Sequence, residues 1–353
     1  MLALATALAA LAPDAARAQN AEPKPAAHHS HRPHAKPTAE PAAARSATPA
    51  PSASPAPSAE NHAAANTGPE PDLAYAAYQR GYFLTAFGLA TKHVEDKSDV
   101  KAMTLLGELY AQGLGVPRND AKAAEWYELA AARGDRNAMF ALAMFRLEGR
   151  AGARDRQASA KWLAAAAKLG HPLAAYDLAL LYIEGQLFPQ DFPRAAELLR
   201  VSAQAGNAEA QYALGTFYKE GRGVSRDLVE AVRLWGLASL ADNADAQVEY
   251  GLALFNGEGV AKNEAAAAAL FRKAALRGNP IAQDRYARIL SAGRGAPADP
   301  VAATKWHLVS KARGETDLML DDFVAGLDAA TRAAGEKAAK PWLDAIATKK
   351  PPS

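Results

Sequence analysis

The sequence predicts an all-α solenoid of stacked antiparallel helix pairs, and three observations carry that prediction. A 36-residue period starts at Ala102, Ala138, Ala174, Ala210, Ala246 and Ala282 and needs no gap. Eleven residues after each start stands a glycine: Gly113, Gly149, Gly185, Gly221, Gly257 and Gly293. Seventeen residues after each start stands Asn or Asp: Asn119, Asp155, Asp191, Asp227, Asn263 and Asp299. A fixed period of this length means that each unit is one supersecondary element, too small to bury its apolar face alone.

Each element of the unit follows from its punctuation. The glycine column ends a run of helix-forming residues at the point where the chain needs a left-handed residue, which only Gly adopts cheaply. The Asn/Asp column precedes a second run, where a short side-chain acceptor caps free backbone N–H groups. The unit therefore reads helix A, short loop, capped helix B, turn. The turn carries a further glycine at Gly134, Gly170, Gly206, Gly278 and Gly314, with Asp242 the exception.

Apolar spacing agrees. Ala102, Leu106, Leu109 and Tyr110 share one face of the first helix A, and Ala123, Trp126, Tyr127 and Ala130 one face of its helix B. A column of small residues, Ala123, Ser159, Ala195, Ala231, Ala267 and Ala303, marks close A–B contact.

The flanks read differently. Residues 1–18 have the form of a signal peptide: an apolar run from Leu2 to Ala12, then Ala16-Arg17-Ala18 as a small-x-small cleavage site, though no Lys or Arg precedes the run. A run of eleven residues is too short to cross a bilayer. That predicts a periplasmic or secreted protein with no transmembrane helix once the signal is removed. Residues 19–71 form a Pro-, Ala- and Ser-rich linker, predicted to be disordered because such a composition cannot bury enough apolar surface to offset chain entropy. Within it, His28, His29, His31 and His34 either capture Zn²⁺ or Ni²⁺ weakly or are incidental to a polar tract.

Residues 72–101 predict an N-terminal helix pair around a turn at Gly81, and 102–317 the six repeats. Residues 318–345 predict capping helices, the second ending near Pro341-Trp342, and 346–353 a disordered tail. End units must cover the exposed faces of a stack, which accounts for their atypical sequence.

Composition narrows the function. There is no cysteine, which removes disulfides, Cys-ligated zinc and thiol nucleophiles. The 40 basic and 38 acidic side chains leave a net charge of +2, which points to neither nucleic acid nor an anionic membrane surface. There is no Gly-x-Ser-x-Gly elbow, phosphate-binding loop or His-Glu-x-x-His, and no catalytic, cofactor or metal residues are assigned. Ser98-Asp99-Val100-Lys101 fits Ser-x-x-Lys but lacks its companion motifs and falls between two helix pairs. Glu148, Glu184 and Glu220 form either an acidic ladder or a solvated helix end. His93, His171 and His307 are scattered and read as structural or exposed.

The units resemble Sel1-like repeats, relatives of the tetratricopeptide repeat, whose pattern is close to A-x3-L-G-x2-Y-x2-G-x-G-V. Ala210, Leu214-Gly215, Tyr218, Gly221 and Gly223-Val224 match it, as do Ala102, Leu106-Gly107, Tyr110, Gly113 and Gly115-Val116. The second unit departs at Arg146 and in its loop, and the third has Gln186-Leu187-Phe188-Pro189 in place of Gly-x-Gly.

The resemblance implies a right-handed superhelix with A helices on the concave face. It implies groove-lining positions two, six and nine after each start: Phe140, Met144 and Leu147; Tyr176, Leu180 and Ile183; Tyr212, Thr216 and Lys219; and Leu252 with Phe255. Such a strip suits a helix or extended segment of a partner, or else packs between units. It further implies a non-catalytic adaptor of the bacterial cell envelope, with an unidentified protein partner in envelope signalling, polysaccharide export or polar organisation. The alternatives from other classes are a cell-wall or β-lactam hydrolase and a structural spacer without a specific ligand. Oligomeric state is not legible.

Overall fold

The computed structural model describes residues 72–348; the signal-peptide and linker predictions for 1–71, and the histidine tract with them, lie outside the described residues, as do 349–353. Among the described residues there are sixteen α-helices and no strand. An N-terminal pair, α1 (Leu73–Gln79) and α2 (Phe83–Lys97), is followed by six A/B pairs. These are α3 (Val100–Gln112) with α4 (Asp120–Ala132), α5 (Arg136–Glu148) with α6 (Arg156–Lys168), and α7 (Pro172–Glu184) with α8 (Phe192–Gln204). Then come α9 (Ala208–Glu220) with α10 (Leu228–Leu240), α11 (Ala244–Asn256) with α12 (Glu264–Leu276), and α13 (Pro280–Ala292) with α14 (Pro300–Lys311). The chain closes with α15 (Leu318–Ala325) and α16 (Ala329–Thr348). Each helix packs on its neighbours in sequence, A on its own B and B on the next A, which is the contact pattern of a solenoid.

The predicted punctuation sits where its chemistry requires. All six loop glycines end an A helix in the left-handed region, at φ from +67° to +78°. All six Asn/Asp residues cap a B helix, each side chain accepting a hydrogen bond from the backbone N–H three residues on. The small column from Ala123 to Ala303 is buried throughout. At the turn, Asp242 takes the positive φ (+67°) that glycine takes elsewhere. Its carboxylate bonds Lys273 of the next B helix and, at 2.8 Å, Arg277 at that helix's C-terminus, an attachment glycine could not make.

A second capping column runs through the start of every A helix. Asp99, Asp135, Asn207, Asn243, Asn279 and Asp317 cap with side-chain oxygens, and in the third unit His171 caps with Nδ1, 3.1 Å from the Ala174 N–H. The His171 ring stacks on Phe140, centroids 4.5 Å apart. Burial and the Arg136 charge hold its pKa below the usual imidazole value, which keeps the neutral, accepting form.

The second loop glycine has its own reason. A Cβ on Gly115, Gly223, Gly259 or Gly295 would fall 2.2–2.9 Å from atoms at the start of the preceding unit's last helix, so the loop of one unit lies directly on the backbone of the unit before it. In the second unit Ala151 occupies this place at φ +54°, and in the third Leu187 does, in a rebuilt loop where Phe188 stacks on Tyr182 at 5.1 Å.

The C-terminal end corrects one expectation. The last helix does not stop near Pro341-Trp342 but runs on to Thr348, so residues 346–348 are helical. Pro341 is accommodated inside it, and the adjacent Trp342 packs edge-on against Trp306 of α14 at 4.9 Å. A Cβ at Gly335 would lie 2.5 Å from Thr304, so α16 approaches α14 closely and covers the face a seventh unit would have covered.

Candidate functional site: the face of the A helices

Side chains of successive A helices reach one another directly. Lys219 pairs with Glu249 at 2.9 Å, Asn243 donates to Glu209 at 2.8 Å, and Asn279 donates to Asp245 at 2.9 Å. These contacts link successive A helices into one wall along the stack.

On that wall the eleven positions named from the sequence divide in two. Leu180 (1% exposed), Ile183 (6%) and Thr216 (6%) are closed to solvent, and the Thr216 hydroxyl is turned back onto the Tyr212 carbonyl at 3.1 Å. Leu180 and Ile183 belong to the core cluster that spans the second to fourth units. Phe140, Met144, Leu147, Tyr176, Tyr212, Lys219, Leu252 and Phe255 keep part of their surface in solvent. Phe140, Met144, Leu147 and Tyr176 pack against one core cluster that spans the second to fourth units, so each is partly buried and keeps an exposed edge.

Charge is distributed unevenly along this wall. Asp177 is 8% exposed, and no side chain among the described residues bonds or pairs with it; burial pushes its carboxyl up to about 6. Burial, and then the nearby carboxylates Glu209 and Asp245, push the Tyr176 and Tyr212 phenols up, so both stay neutral hydrogen-bonding groups at physiological pH.

Toward the C-terminal end the wall opens into a cleft of about 640 Å³. Leu252, Phe255, Ile289, Met319 and Phe323 form its apolar sides, and Arg285, Arg288 and Arg294 its polar rim. The cleft sits between the fifth and sixth A helices and α15.

The other motifs find structural employment. Ser98 ends α2 in the left-handed region at φ +51°, and Asp99 caps α3 by accepting from the N–H groups of Lys101 and Ala102. His307 is buried in α14 with Nε2 2.7 Å from Asp321 of α15, tying the capping helix down. Among the described residues no group of three or more His, Asp or Glu side chains is placed to hold a metal ion.

The sequence of six hairpins also matches a known profile. The Sel1 repeat profile matches residues 100–135, 136–171, 172–207, 208–243, 244–279 and 280–314 in unbroken succession, well over half of the chain. The chain belongs to the Sel1 repeat family. Members of this family generally act as protein-interaction scaffolds.

Two solved structures support the fold. One is a protective antigen of uropathogenic Escherichia coli strains displaying an SLR fold, 25% identical, covering 80% of this chain and 71% of the antigen, with a TM-score of 0.56. The other is a Sel1 repeat protein from Oxalobacter formigenes, also 25% identical, covering 69% of this chain and 99% of that protein, with a TM-score of 0.56. A comparison with curated proteins finds no match.

Sequence reading reached the A-helix face but not the cleft. Arg288 and Ser291 occupy positions six and nine of the last unit, the same register that selected Leu252 and Phe255. Carrying that register one unit further would have found them; α15, which closes the cleft, is outside the repeat and gave no such signal.

Proposed function

We propose that this Sel1 repeat chain is a non-catalytic scaffold of the bacterial cell envelope that grips a protein partner along its inner A-helix wall. One observation carries the reading: seven partly exposed aromatic and aliphatic side chains, from Phe140 to Phe255, together with Lys219, recur at the same register across four consecutive A helices. A surface of this kind suits an extended or helical segment, since each unit offers the same register position one repeat further along. The envelope location rests on the signal-like residues 1–18 and on the bacterial origin of the similar structures. No helix among the described residues is long and apolar enough to cross a membrane.

The test is crosslinking in the native cell followed by mass spectrometry, with the full chain as bait. Met144→Glu puts a charge on the exposed edge of the strip, and Leu240→Glu does the same on the outer surface of a B helix, where Leu240 is strongly exposed. Both variants should keep the wild-type melting temperature within about 5 °C. The reading requires Met144→Glu to lose the main crosslinked species and Leu240→Glu to retain it. Loss with Leu240→Glu alone would move the binding face to the B helices.

A further inference from the structure

The cleft at the C-terminal end of the A-helix wall differs in chemistry from the strip that leads into it. Three guanidinium groups line it and no carboxylate does. The arginines are not equally engaged. Arg288 is held by Asp317, and its Nε also lies 3.7 Å from Asp284. Arg294 is held by Glu264, and its guanidinium lies over the Phe255 ring with 4.5 Å to the centroid. Arg285 has only Asp284, at 3.7 Å, beyond hydrogen-bond distance, and its Nε is buried without an acceptor. A guanidinium carries five donors, so even the two paired arginines keep donors for a further anion.

The apolar sides are equally specific. Met319 on α15 is 72% exposed at the rim, and Leu252, Phe255, Ile289 and Phe323 continue the surface inward. A cationic rim over apolar walls is complementary to a segment that alternates carboxylate and apolar side chains. A charged–apolar surface discriminates by charge as well as by shape, because a basic segment of equal apolarity would leave the guanidiniums facing like charge.

We infer that this cleft binds an extended segment of the protein partner that presents acidic side chains between apolar ones, with Arg285 as the carboxylate anchor. The inference rests on the reading that the A-helix wall holds a protein. It adds the partner's chemistry, its place on the wall, and a role for α15 beyond covering the stack. Arg285 takes the carboxylate on its unengaged donors, Arg288 and Arg294 add charge on either side, and Met319 and Phe323 cover the flanking apolar residue.

The probe is a fluorescein-labelled nine-residue peptide alternating Leu and Glu, compared with its Leu/Lys counterpart by fluorescence anisotropy on the full chain. The Leu/Glu peptide should bind at least about ten-fold more tightly than the Leu/Lys peptide, with affinity falling as salt rises. Arg285→Gln should weaken it about ten-fold and Arg285→Glu further, while Met319→Ser should weaken both peptides. Arg285 and Met319 are exposed enough for these variants to fold, which a thermal melt checks. Equal affinity for the two peptides, or an unchanged affinity in Arg285→Glu, overturns the inference. If those results appear while Met144→Glu still loses the native partner, the cleft assignment falls and the A-wall reading stands. If the native partner is kept by both Met144→Glu and Arg285→Glu, both fall.

Discussion

At the scale of single residues, two kinds of position carry more than their neighbours. Glycines with positive φ divide by what lies around them. Gly134 (φ +89°) faces open space, whereas a Cβ at Gly223 (φ +64°) would fall 2.3 Å from the carbonyl carbon and oxygen of Phe192. Gly134→Ala should therefore cost only the left-handed penalty, about 1 kcal/mol, and Gly223→Ala clearly more, upward of about 2 kcal/mol, because backbone must move. Chemical denaturation of the two variants checks the difference. Asp177 is the second kind. Its pKa, raised to about 6 from an ordinary 3.8, means that the folded state holds its proton more tightly than the unfolded state. The stability linked to that proton is fully present below pH 3.8 and lost as pH rises through 6. Asp177→Asn should therefore stabilise the fold by about 1–3 kcal/mol at pH 8, with the gain vanishing near pH 4. Melting curves of both proteins across that range measure it; a gain that persists at pH 4 would show that burial of the charge is not its source.

At the scale of the helix pair, each unit matches the size of one A-helix residue to one B-helix residue. Gly107 stands against Tyr127, Gly215 against Trp235 and Gly251 against Phe271, and a Cβ on any of these glycines would lie 2.5–2.9 Å from the ring. The units with alanine at the same A position, Ala143, Ala179 and Ala287, carry Leu163, Leu199 and His307 at the matching B position. Volume is conserved across the pair, so either member alone should be intolerant of change. Gly215→Ala should cost about 1–3 kcal/mol. Adding Trp235→Leu, which reproduces the pairing of the third unit, should return part of that cost, with a favourable coupling of about 1 kcal/mol in a double-mutant cycle. Purely additive effects would contradict the matching. The same scale shows why the fold was legible in the sequence. Gly113 to Gly293 and Asn119 to Asp299 act through local backbone chemistry, a left-handed turn and a capped helix start, which repeats wherever the residue repeats. The A-helix caps were harder to see because they mix Asp, Asn and His171, whose imidazole does the work of a carboxylate. Gln211, Gln247 and Gln283, which donate to backbone carbonyls of the preceding B helix at 3.1–3.3 Å, were invisible as well, since the first three units carry Met103, Met139 and Ala175 there.

For the whole molecule, stacking turns a local pattern into a long wall of A helices. The sequence identified the register of that wall, but exposure depends on the neighbouring unit, which no single-unit reading contains. Leu180 and Ile183 share register positions with Met144 and Leu147, yet the former are sealed and the latter keep a solvent edge. The arginine-rimmed cleft likewise exists only because α15 breaks the repeat and folds across the end of the wall. The proposed role requires the A-helix wall to be the surface that meets other proteins. A photoreactive amino acid placed singly at Thr104, Met144, Leu252 and Ser291 on the A helices, and at Leu129, Leu240 and Leu276 on the B helices, tests this in the native cell. A binding A-helix wall gives one common adduct from several A-helix positions and none from the three B-helix positions; the same adduct arising from the B helices and absent from the A helices would contradict that role.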